Sequence, residues 1–305
     1  MRVVFMGTPS FAVPSLRALA SAFDVALVVT RPDAVRSRGK VLEPSPVKEA
    51  ALELGLTVLE ATKMTPEVLD ELRGVHADVF CVAAYGCILP DEVLTMAPGG
   101  CVNVHASLLP RWRGAAPIQR CILEGDAETG VSIMRIGHGV DTGDYCAQAV
   151  CGVSGKTADE LTAELASLGG ELLVRVLPSI VDGTVAWIEQ DESLVTHAAK
   201  ISKQEMKLDS SLDVQSNVRR VFASSDAAPA RCQIAGKPLR VLSAALADEK
   251  VDPGRFAISG KRLLLGCADG SFEVLEVKPD GKRAMPAAAW TAGQRDSSGE
   301  WGLLQ

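Results

Sequence analysis

Asn103 and His105 stand two residues apart in a stretch where they alternate with Val102 and Val104. Such alternation predicts a β-strand, in which residues two apart share one face. An amide can donate a hydrogen bond to a developing oxyanion, and an imidazole can take up or release a proton. Asp141 follows in a glycine-flanked turn and can supply the carboxylate that orients the imidazole. The three side chains therefore predict a site that stabilises an oxyanion and moves a proton.

Taken singly, each of these residues has an ordinary structural explanation. A lone histidine is more often structural or solvated than functional. An asparagine at a strand end and an aspartate between glycines more often form turns. The prediction therefore depends on the combination of Asn103, His105 and Asp141 in one chain.

The elements that must position these residues alternate between strands and helices. Apolar runs predict strands at residues 3–6, 25–30, 58–59, 78–83, 101–105, 130–135 and 145–150. Capping residues, prolines and helical spacing predict helices that begin at Ser10, Pro46, Thr65 and Thr157. Continuous apolar strands that alternate with helices predict a parallel sheet covered on both faces. Because such sheets bind ligands beyond the C-terminal strand ends, near a switch in strand order, we expect the site where the strand ends at His105.

The last third of the chain has a different pattern. After a helix-like stretch from Asp213 to Ala223, short β-like runs are separated by glycine-containing turns. The runs cover residues 231–234, 239–243, 256–259, 263–267 and 272–277. This pattern predicts a small β-barrel.

Composition narrows the class of protein. The 305 residues, 47% of them hydrophobic and 23% charged, are enough for two globular domains. We expect no membrane span or signal peptide, because no apolar run reaches about 18 residues and the start reads as a strand. The eight cysteines show no metal-type spacing, which predicts a reduced, cytoplasmic protein. The segment Met6-Gly-Thr-Pro-Ser10 lacks the dinucleotide-binding glycine spacing, which argues against a nicotinamide cofactor.

The net charge of −7 is unevenly distributed. Residues 206–305 carry a net charge of +2 and residues 1–205 a net charge of −9. If the chain binds nucleic acid, local basic patches must neutralise the phosphates, because the overall charge does not.

Several motifs in order along the chain carry a family resemblance. The central ones are Asn103-Val-His105, Ser107-Leu-Leu-Pro-Arg-Trp-Arg-Gly-Ala-Ala-Pro117 and Asp141-Thr-Gly-Asp144. The others are Val4-Phe-Met-Gly-Thr-Pro9, Arg36-Ser-Arg-Gly-Lys40, Pro44-Ser-Pro-Val-Lys48 and Ala84-Tyr-Gly-Cys-Ile-Leu-Pro90. With these motifs the chain closely resembles the folate-dependent formyltransferase family, and within it the members that act on tRNA.

The resemblance implies transfer of a formyl group from 10-formyltetrahydrofolate to the α-amino group of methionine on initiator tRNA. It places Asn103 and His105 at the oxyanion of the tetrahedral intermediate, with Asp141 paired to His105, and it requires no metal. It also implies a Rossmann-like parallel-sheet catalytic domain over residues 1–188, a linker over 189–206 and an OB-like C-terminal β-barrel that helps hold tRNA over 207–305. We expect a monomer that does not bind membranes.

The same resemblance assigns binding residues. Those expected at the folate are Ser107, Leu108, Leu109 and Pro110, with a second wall from Tyr85, Gly86, Ile88 and Leu89. Those expected at the tRNA are Arg36, Arg38 and Lys40, in a basic loop that begins near Arg31. Arg111 and Arg113 beside the site suit either an RNA end or structural packing.

The chain departs from the family pattern at two places, and three other functions remain open. Ala106 stands where the family has glycine, and the segment Phe222–Arg231 lacks the usual tryptophan. The alternatives are a formyltransferase for a small amine such as a nucleotide-linked amino sugar or glycinamide ribonucleotide, a hydrolase that releases formate from the same folate, and a non-catalytic folate- or RNA-binding protein. The basic loop and the barrel argue against the first two, and the Asn, His and Asp combination argues against the third.

Overall fold

A computed structural model describes residues 1–35 and 41–304 of the chain. Its helices are α1 Val13–Ala22, α2 Pro46–Glu53, α3 Pro66–Val75, α4 Asp91–Leu94, α5 Pro117–Glu124, α6 Ala158–Val181, α7 Val214–Phe222 and α8 Ala287–Thr291, with 3-10 turns at Ser10–Ala12 and Glu192–Leu194. Its strands are β1 Arg2–Gly7, β2 Asp24–Thr30, β3 Ala34–Val35, β4 Leu42–Glu43, β5 Val58–Glu60, β6 Val79–Ala83, β7 Cys101–His105, β8 Arg113–Gly114, β9 Glu128–Arg135, β10 Tyr145–Gly152, β11 His197–Ala198, β12 Arg231–Ile234, β13 Lys237–Ala247, β14 Arg255–Ser259, β15 Arg262–Gly266, β16 Ser271–Pro279, β17 Met285–Pro286 and β18 Ser298–Gly302.

The chain divides into two compact units. The sheet unit comprises Met1–Pro117, Glu128–Gly152 and Thr162–Ala198. The barrel unit comprises Ile118–Ala127, Val153–Leu161 and the chain from Ala199 onward.

A seven-stranded sheet organises the sheet unit, in the order β10-β9-β7-β6-β1-β2-β5. The five strands from β7 to β5 are parallel, as their continuous apolar sequences predict. β9 runs antiparallel to β7, and β10 runs antiparallel to β9. These two strands, which run in opposite directions to each other, extend the parallel sheet beyond β7. The strand order reverses between β1 and β6, which places the end of β7 one strand away from this switch point.

Helices cover both faces of this sheet. On one face α6 contacts β7, where a Cβ added to Gly169 would lie 2.5 Å from Val104 Cγ1. On the other face Leu72 of α3 and Val93 of α4 pack in one apolar cluster with strand residues such as Val4. The predicted parallel sheet with helices on both sides is confirmed.

Ser10 does not cap a helix, contrary to the prediction. It is the first residue of the 3-10 turn, and α1 begins only at Val13, without a side-chain cap. The physical reason is Pro14, which has no backbone N–H and therefore suits the first turn of the helix.

Six antiparallel strands close the barrel. The sheet order β13-β12-β18-β14-β15-β16 returns to β13 through a direct β13–β16 pairing. Its interior is apolar and includes Leu239, Leu263 and Phe272, each with none of its surface exposed. The predicted fold class, a Rossmann-like sheet domain followed by a small barrel, is confirmed.

The strand that completes the barrel, β18, was not predicted. Its sequence, Ser298-Gly-Glu-Trp-Gly302, has one apolar side chain and no alternation. The structure places it between β12 and β14, and the indole Nε1 of Trp301 donates a hydrogen bond to Gly266 O at 2.9 Å.

Within the described residues, no helix is both long and apolar enough to cross a bilayer.

Candidate active site

β7 carries two polar side chains to its C-terminal end. Because Val104 faces α6, the alternation of the strand directs Asn103 and His105 to the opposite face. The Asn103 side chain is half-buried and makes no hydrogen bond within residues 1–35 and 41–304. Its amide hydrogens are therefore available to a ligand.

The imidazole of His105 is buried, with 5% of the residue exposed, and each of its ring nitrogens faces a polar group. Its Nε2 lies 3.0 Å from the carbonyl oxygen of Trp112, and because a carbonyl can only accept, Nε2 is the donor. Its Nδ1 lies 3.5 Å from Asp141 Oδ2. The ring is therefore fixed in orientation between a main-chain carbonyl and a carboxylate.

Asp141 lies in the loop between β9 and β10, with its backbone in the left-handed region at φ +53°. Its Oδ2 also accepts a hydrogen bond from Gly114 N at 2.9 Å. Gly143 keeps the loop close to β9, because a Cβ at this position would lie 2.0 Å from Arg135 O. The predicted combination of Asn103, His105 and Asp141 is thus brought to one end of the sheet.

The loop after β7 is tied to the β9–β10 pair by side-chain hydrogen bonds. Ser132 Oγ donates to Ser107 O at 2.7 Å and accepts from Leu109 N at 3.1 Å. Gln148 Nε2 donates to Leu109 O at 2.9 Å. Ser107 Oγ donates to Arg111 O at 2.6 Å, which closes the loop on itself. The backbone here is therefore held in one shape before any ligand arrives.

The side chains of this loop differ in exposure. Leu109 is buried, whereas Leu108 and Pro110 are half-buried, and the Leu109–Pro110 peptide is cis. Leu108 and Pro110 can therefore offer apolar surface to a ligand, while Leu109 contributes packing. Ala106 has no positive φ, so alanine fits the backbone where the family has glycine.

The residues of the second predicted wall, at positions 85–89, differ in burial and in backbone conformation. The ring of Tyr85 is buried and its hydroxyl donates to Ala61 O at 2.7 Å, and burial raises the pKa of this phenol. Gly86 has φ +77°, a conformation that favours glycine. Ile88 is 93% exposed and Leu89 is half-buried. Ile88 is therefore the side chain of this group that is most available to a ligand.

The predicted tRNA-binding residues Arg36, Arg38 and Lys40 lie outside the described residues. Of the two arginines beside the site, the guanidinium of Arg111 stacks 4.4 Å above the ring of Trp112. Arg113 is buried, and its Nη2 lies 2.8 Å from Glu192 Oε1. Structural packing therefore accounts for Arg113.

Cysteine chemistry at the sheet is disfavoured by burial. Burial raises the pKa of Cys101, at the start of β7, to about 12 and that of Cys146, on β10, to about 11. Both thiols are therefore protonated near neutral pH and poor nucleophiles. The acid–base groups that the site offers are His105 and Asp141.

Three contributors to the site were missed from sequence. The carbonyl of Trp112 holds His105, Thr196 Oγ1 accepts from Trp112 N at 2.9 Å, and Gln190 donates to the Asp141 loop. Two of these contacts join segments more than 45 residues apart and the third is a main-chain group, so no local spacing signals them.

A sheet that ends in a free amide and a carboxylate-paired imidazole, in a chain with a separate barrel, defines an α/β enzyme that acts at an electrophilic carbon. The formyl transferase family model matches residues 1–177, and the model of the formyl transferase C-terminal domain matches residues 200–295. The chain belongs to the formyl transferase family.

Individual relatives give the same assignment. The chain is 46% identical to the methionyl-tRNA formyltransferase of Methylococcus capsulatus, over 94% of this chain and 95% of the relative. It is 41% identical to that of Neisseria meningitidis serogroup B, over 98% of this chain and 99% of the relative. In fold it resembles an N-formyltransferase from Helicobacter canadensis, solved with folinic acid and dTDP-3-aminofucose, with TM-score 0.69, 18% identity and coverage of 89% of this chain and 98% of that one.

Proposed function

We propose that this chain transfers the formyl group of 10-formyltetrahydrofolate to the α-amino group of methionine on initiator tRNA. The observation that carries the proposal is full-length similarity, at 41% and 46% identity, to relatives named methionyl-tRNA formyltransferase. The arrangement of Asn103, His105 and Asp141 at one end of the sheet supports it, because formyl transfer needs oxyanion stabilisation and proton movement.

The proposed reaction begins when the amine nitrogen attacks the formyl carbon and forms a tetrahedral intermediate with an oxyanion. The free amide of Asn103 donates to this oxyanion, and His105 redirects its Nε2 hydrogen from Trp112 O to the same oxygen. Asp141 keeps the ring in place at Nδ1 and helps carry a proton from the attacking amine to N10 of the folate. The C–N10 bond then breaks, which leaves the formylated amine and tetrahydrofolate.

The loop after β7 is the proposed folate site. Ser107, Leu108, Leu109 and Pro110 form it, and its shape is fixed by Ser132 and Gln148. Its main-chain groups can meet the polar edge of a pterin while Leu108 and Pro110 contact the flat ring. We propose that residues 85–89 form the second wall, with Ile88 as the contacting side chain and Tyr85 as buried support.

We propose that the basic loop with Arg36, Arg38 and Lys40 contacts the acceptor end of the tRNA, because several cations close together in sequence suit phosphate binding. In this assignment residues 1–188 are the catalytic domain, 189–206 the linker and 207–305 the tRNA-binding barrel domain. The enzyme acts as a cytoplasmic monomer, without a metal and away from membranes.

Formyl transfer tests the proposal directly. Purified protein is given 10-formyltetrahydrofolate and charged initiator Met-tRNA, and formylmethionyl-tRNA is measured. We expect turnover by wild type, loss with His105→Ala and a raised KM for tRNA with Arg38→Ala. The matched controls are His138→Ala, a histidine whose side chain is 84% exposed, and Arg175→Ala, an exposed arginine on α6, and both should resemble wild type.

Each alternative function has its own outcome in this assay. Formylation of a small amine but not of Met-tRNA would overturn the substrate assignment and keep the site chemistry. Release of formate without any acceptor would identify a hydrolase. Binding of folate or tRNA without turnover would overturn the enzymatic proposal.

A further inference from the structure

Gln190 is buried beside the Asp141 loop, with 4% of the residue exposed. Its Nε2 donates to two main-chain carbonyls of this loop, Asp141 O at 2.9 Å and Gly143 O at 2.7 Å. Its Oε1 accepts from Arg113 Nε at 2.9 Å. Both amide hydrogens and the amide oxygen are therefore used, and the amide can adopt one orientation only.

Arg113 anchors Gln190 from the other side. The guanidinium of Arg113 is buried and its two terminal nitrogens lie 3.3 and 2.8 Å from the carboxylate oxygens of Glu192. The main chain of Arg113 is held as well, because its N–H donates to Thr196 O at 2.9 Å. Arg113, which donates to Gln190, is therefore itself held by Glu192 and Thr196, which lie in the same segment as Gln190.

The same segment positions the groups that touch His105 and Asp141. Trp112 N donates to Thr196 Oγ1 at 2.9 Å, which places the Trp112 carbonyl that holds the imidazole. The neighbouring Gly114, whose N–H donates to Asp141, has φ +119°, and a Cβ there would lie 2.9 Å from the main-chain oxygen of the β11 residue opposite. Side-chain and main-chain contacts from residues 190–198 therefore support the pair on both sides.

The Asp141 backbone needs such support. A non-glycine residue at φ +53° is in the left-handed region, which few residues with a side chain adopt, although Asp is among those that tolerate it best. The loop stays in this conformation only if the surroundings hold it. Gln190 supplies hydrogen bonds to the carbonyls on both sides of the turn, at residues 141 and 143.

We propose that Gln190 is a positioning residue for formyl transfer: it fixes the left-handed turn that directs the Asp141 carboxylate at His105. The inference rests on the proposed function only for the identity of the reaction. The hydrogen bonds of Gln190 lie within the sheet unit and do not depend on that reaction. Gln190 acts through Asp141 and does not touch the substrate. Removal of its two N–H donors releases the turn, and the carboxylate loses its alignment with the imidazole.

The first test is Gln190→Met, which keeps the side-chain length and removes the hydrogen-bonding amide. We expect kcat to fall about 10–100-fold, because displacement of a catalytic group by about 1 Å has an effect of this order. KM for folate and for tRNA should stay within about twofold, because neither substrate contacts Gln190. The matched control is Glu189→Ala, the exposed preceding residue, which should leave kcat unchanged.

A double-mutant cycle separates positioning from general destabilisation. If Gln190 acts only through Asp141, the Gln190→Met change should lower kcat little or not at all in an Asp141→Asn background. If Gln190 merely stabilises the fold, the two effects should multiply, and this result would overturn the inference. Glu192→Gln, an exposed change that weakens the anchor of Arg113, should show a smaller loss of the same non-additive kind.

A crystal structure of Gln190→Met gives a readout that does not depend on the substrate. We expect Asp141 Oδ2 to lie more than about 1 Å farther from His105 Nδ1 than in wild type. An unchanged Asp141 loop would overturn the inference, whatever the reaction. If wild type instead formylates a small amine or hydrolyses the folate, the proposed function fails, and the cycle is run on that reaction to test Gln190 separately.

Discussion

At the residue scale, the site combines one free donor with one constrained acid–base pair. Asn103 has no side-chain partner among the described residues, whereas His105 donates from Nε2 to Trp112 O and has Asp141 Oδ2 3.5 Å from its Nδ1. A free, half-buried amide carries little hydrogen-bond energy in the unliganded protein. Its contribution therefore appears when charge develops on the substrate oxygen, which is the condition for lowering a barrier rather than only binding a ground state.

Asn103→Ala should lower kcat for formyl transfer about 10²–10³-fold, the effect of losing one oxyanion donor. Folate affinity should change little, because the hydrogen bond forms mainly in the transition state. Asn103→Asp keeps the shape, removes the donor and adds negative charge, so it should lose at least as much. Steady-state kinetics with a folate-binding titration checks this, and equal losses of kcat and folate affinity in both variants would contradict an oxyanion role.

The residues of the site differ in how far their roles could be predicted from the sequence. The shared face of Asn103 and His105 follows from strand alternation, which is a local property. The carbonyl of Trp112 and the amide of Gln190 could not be predicted, because their roles depend on where distant segments meet. A main-chain carbonyl also has no side-chain identity that a sequence could reveal.

At the element scale, the antiparallel pair β9–β10 supports both the Asp141 loop and the loop after β7. Ser132 on β9 and Gln148 on β10 hold the main chain of Leu109, and the turn between the strands carries Asp141. Both strands were predicted from their apolar runs. Their antiparallel pairing beyond β7 was not predicted, because continuous apolar runs do not record strand direction.

Gly130→Ala should disturb this pair. A Cβ at Gly130 would lie 2.1 Å from Ala149 O and 2.6 Å from Leu108 Cδ2, so it would push β10 and the loop after β7 away from β9. We expect a loss of about 1–3 kcal/mol in stability, as for overpacking, and a raised KM for folate.

The matched control for Gly130→Ala is Gly152→Ala, at the end of β10, where no atom lies within 4 Å of the added Cβ. Its free energy of unfolding should change by no more than about 0.5 kcal/mol. Urea unfolding of the two variants, followed by circular dichroism, compares them. Equal stability of both would show that the β9–β10 contact tolerates a methyl group.

At the same scale, the barrel shows that a strand without an apolar run cannot be predicted from hydrophobic patterning. Five of its strands have apolar runs that were predicted, but β18 depends on the single buried side chain of Trp301. That indole packs edge-on against Phe272, with ring centroids 5.8 Å apart. One large aromatic residue can thus secure a strand that has no alternating pattern.

At the scale of the whole molecule, acidic side chains that accept hydrogen bonds or pair with arginine link stability to pH. In the described part of the chain, such contacts lower the pKa of several carboxyl groups. These are Glu67, Glu160, Asp191, Glu192, Glu205, Asp213 and Asp226. When the folded pKa lies below the unfolded one, the unfolded chain takes up protons first as pH falls, so folding is favoured less.

The melting temperature should therefore fall as pH decreases from about 6 to about 3, and Asp213 offers a clean test of the cause. Its carboxylate caps α7 by accepting from Ser216 N and Ser216 Oγ, each at 2.7 Å, and these hydrogen bonds lower its pKa. Asp213→Asn retains a good capping residue and removes the titrating group. The variant should have a lower melting temperature than wild type at pH 7. The physical reason is that loss of the negative charge at the helix N-terminus lowers the free energy of unfolding by about 0.3–1 kcal/mol.

This difference should vanish as pH falls through the folded pKa of Asp213, because wild type then also carries a neutral side chain there. Asp182→Asn is the matched control, since Asp182 is exposed and its side chain makes no hydrogen bond within the described residues. Its melting curve should follow wild type at every pH. A constant gap between Asp213→Asn and wild type from pH 7 to pH 3 would show that amide packing, rather than ionisation of the cap, causes the difference.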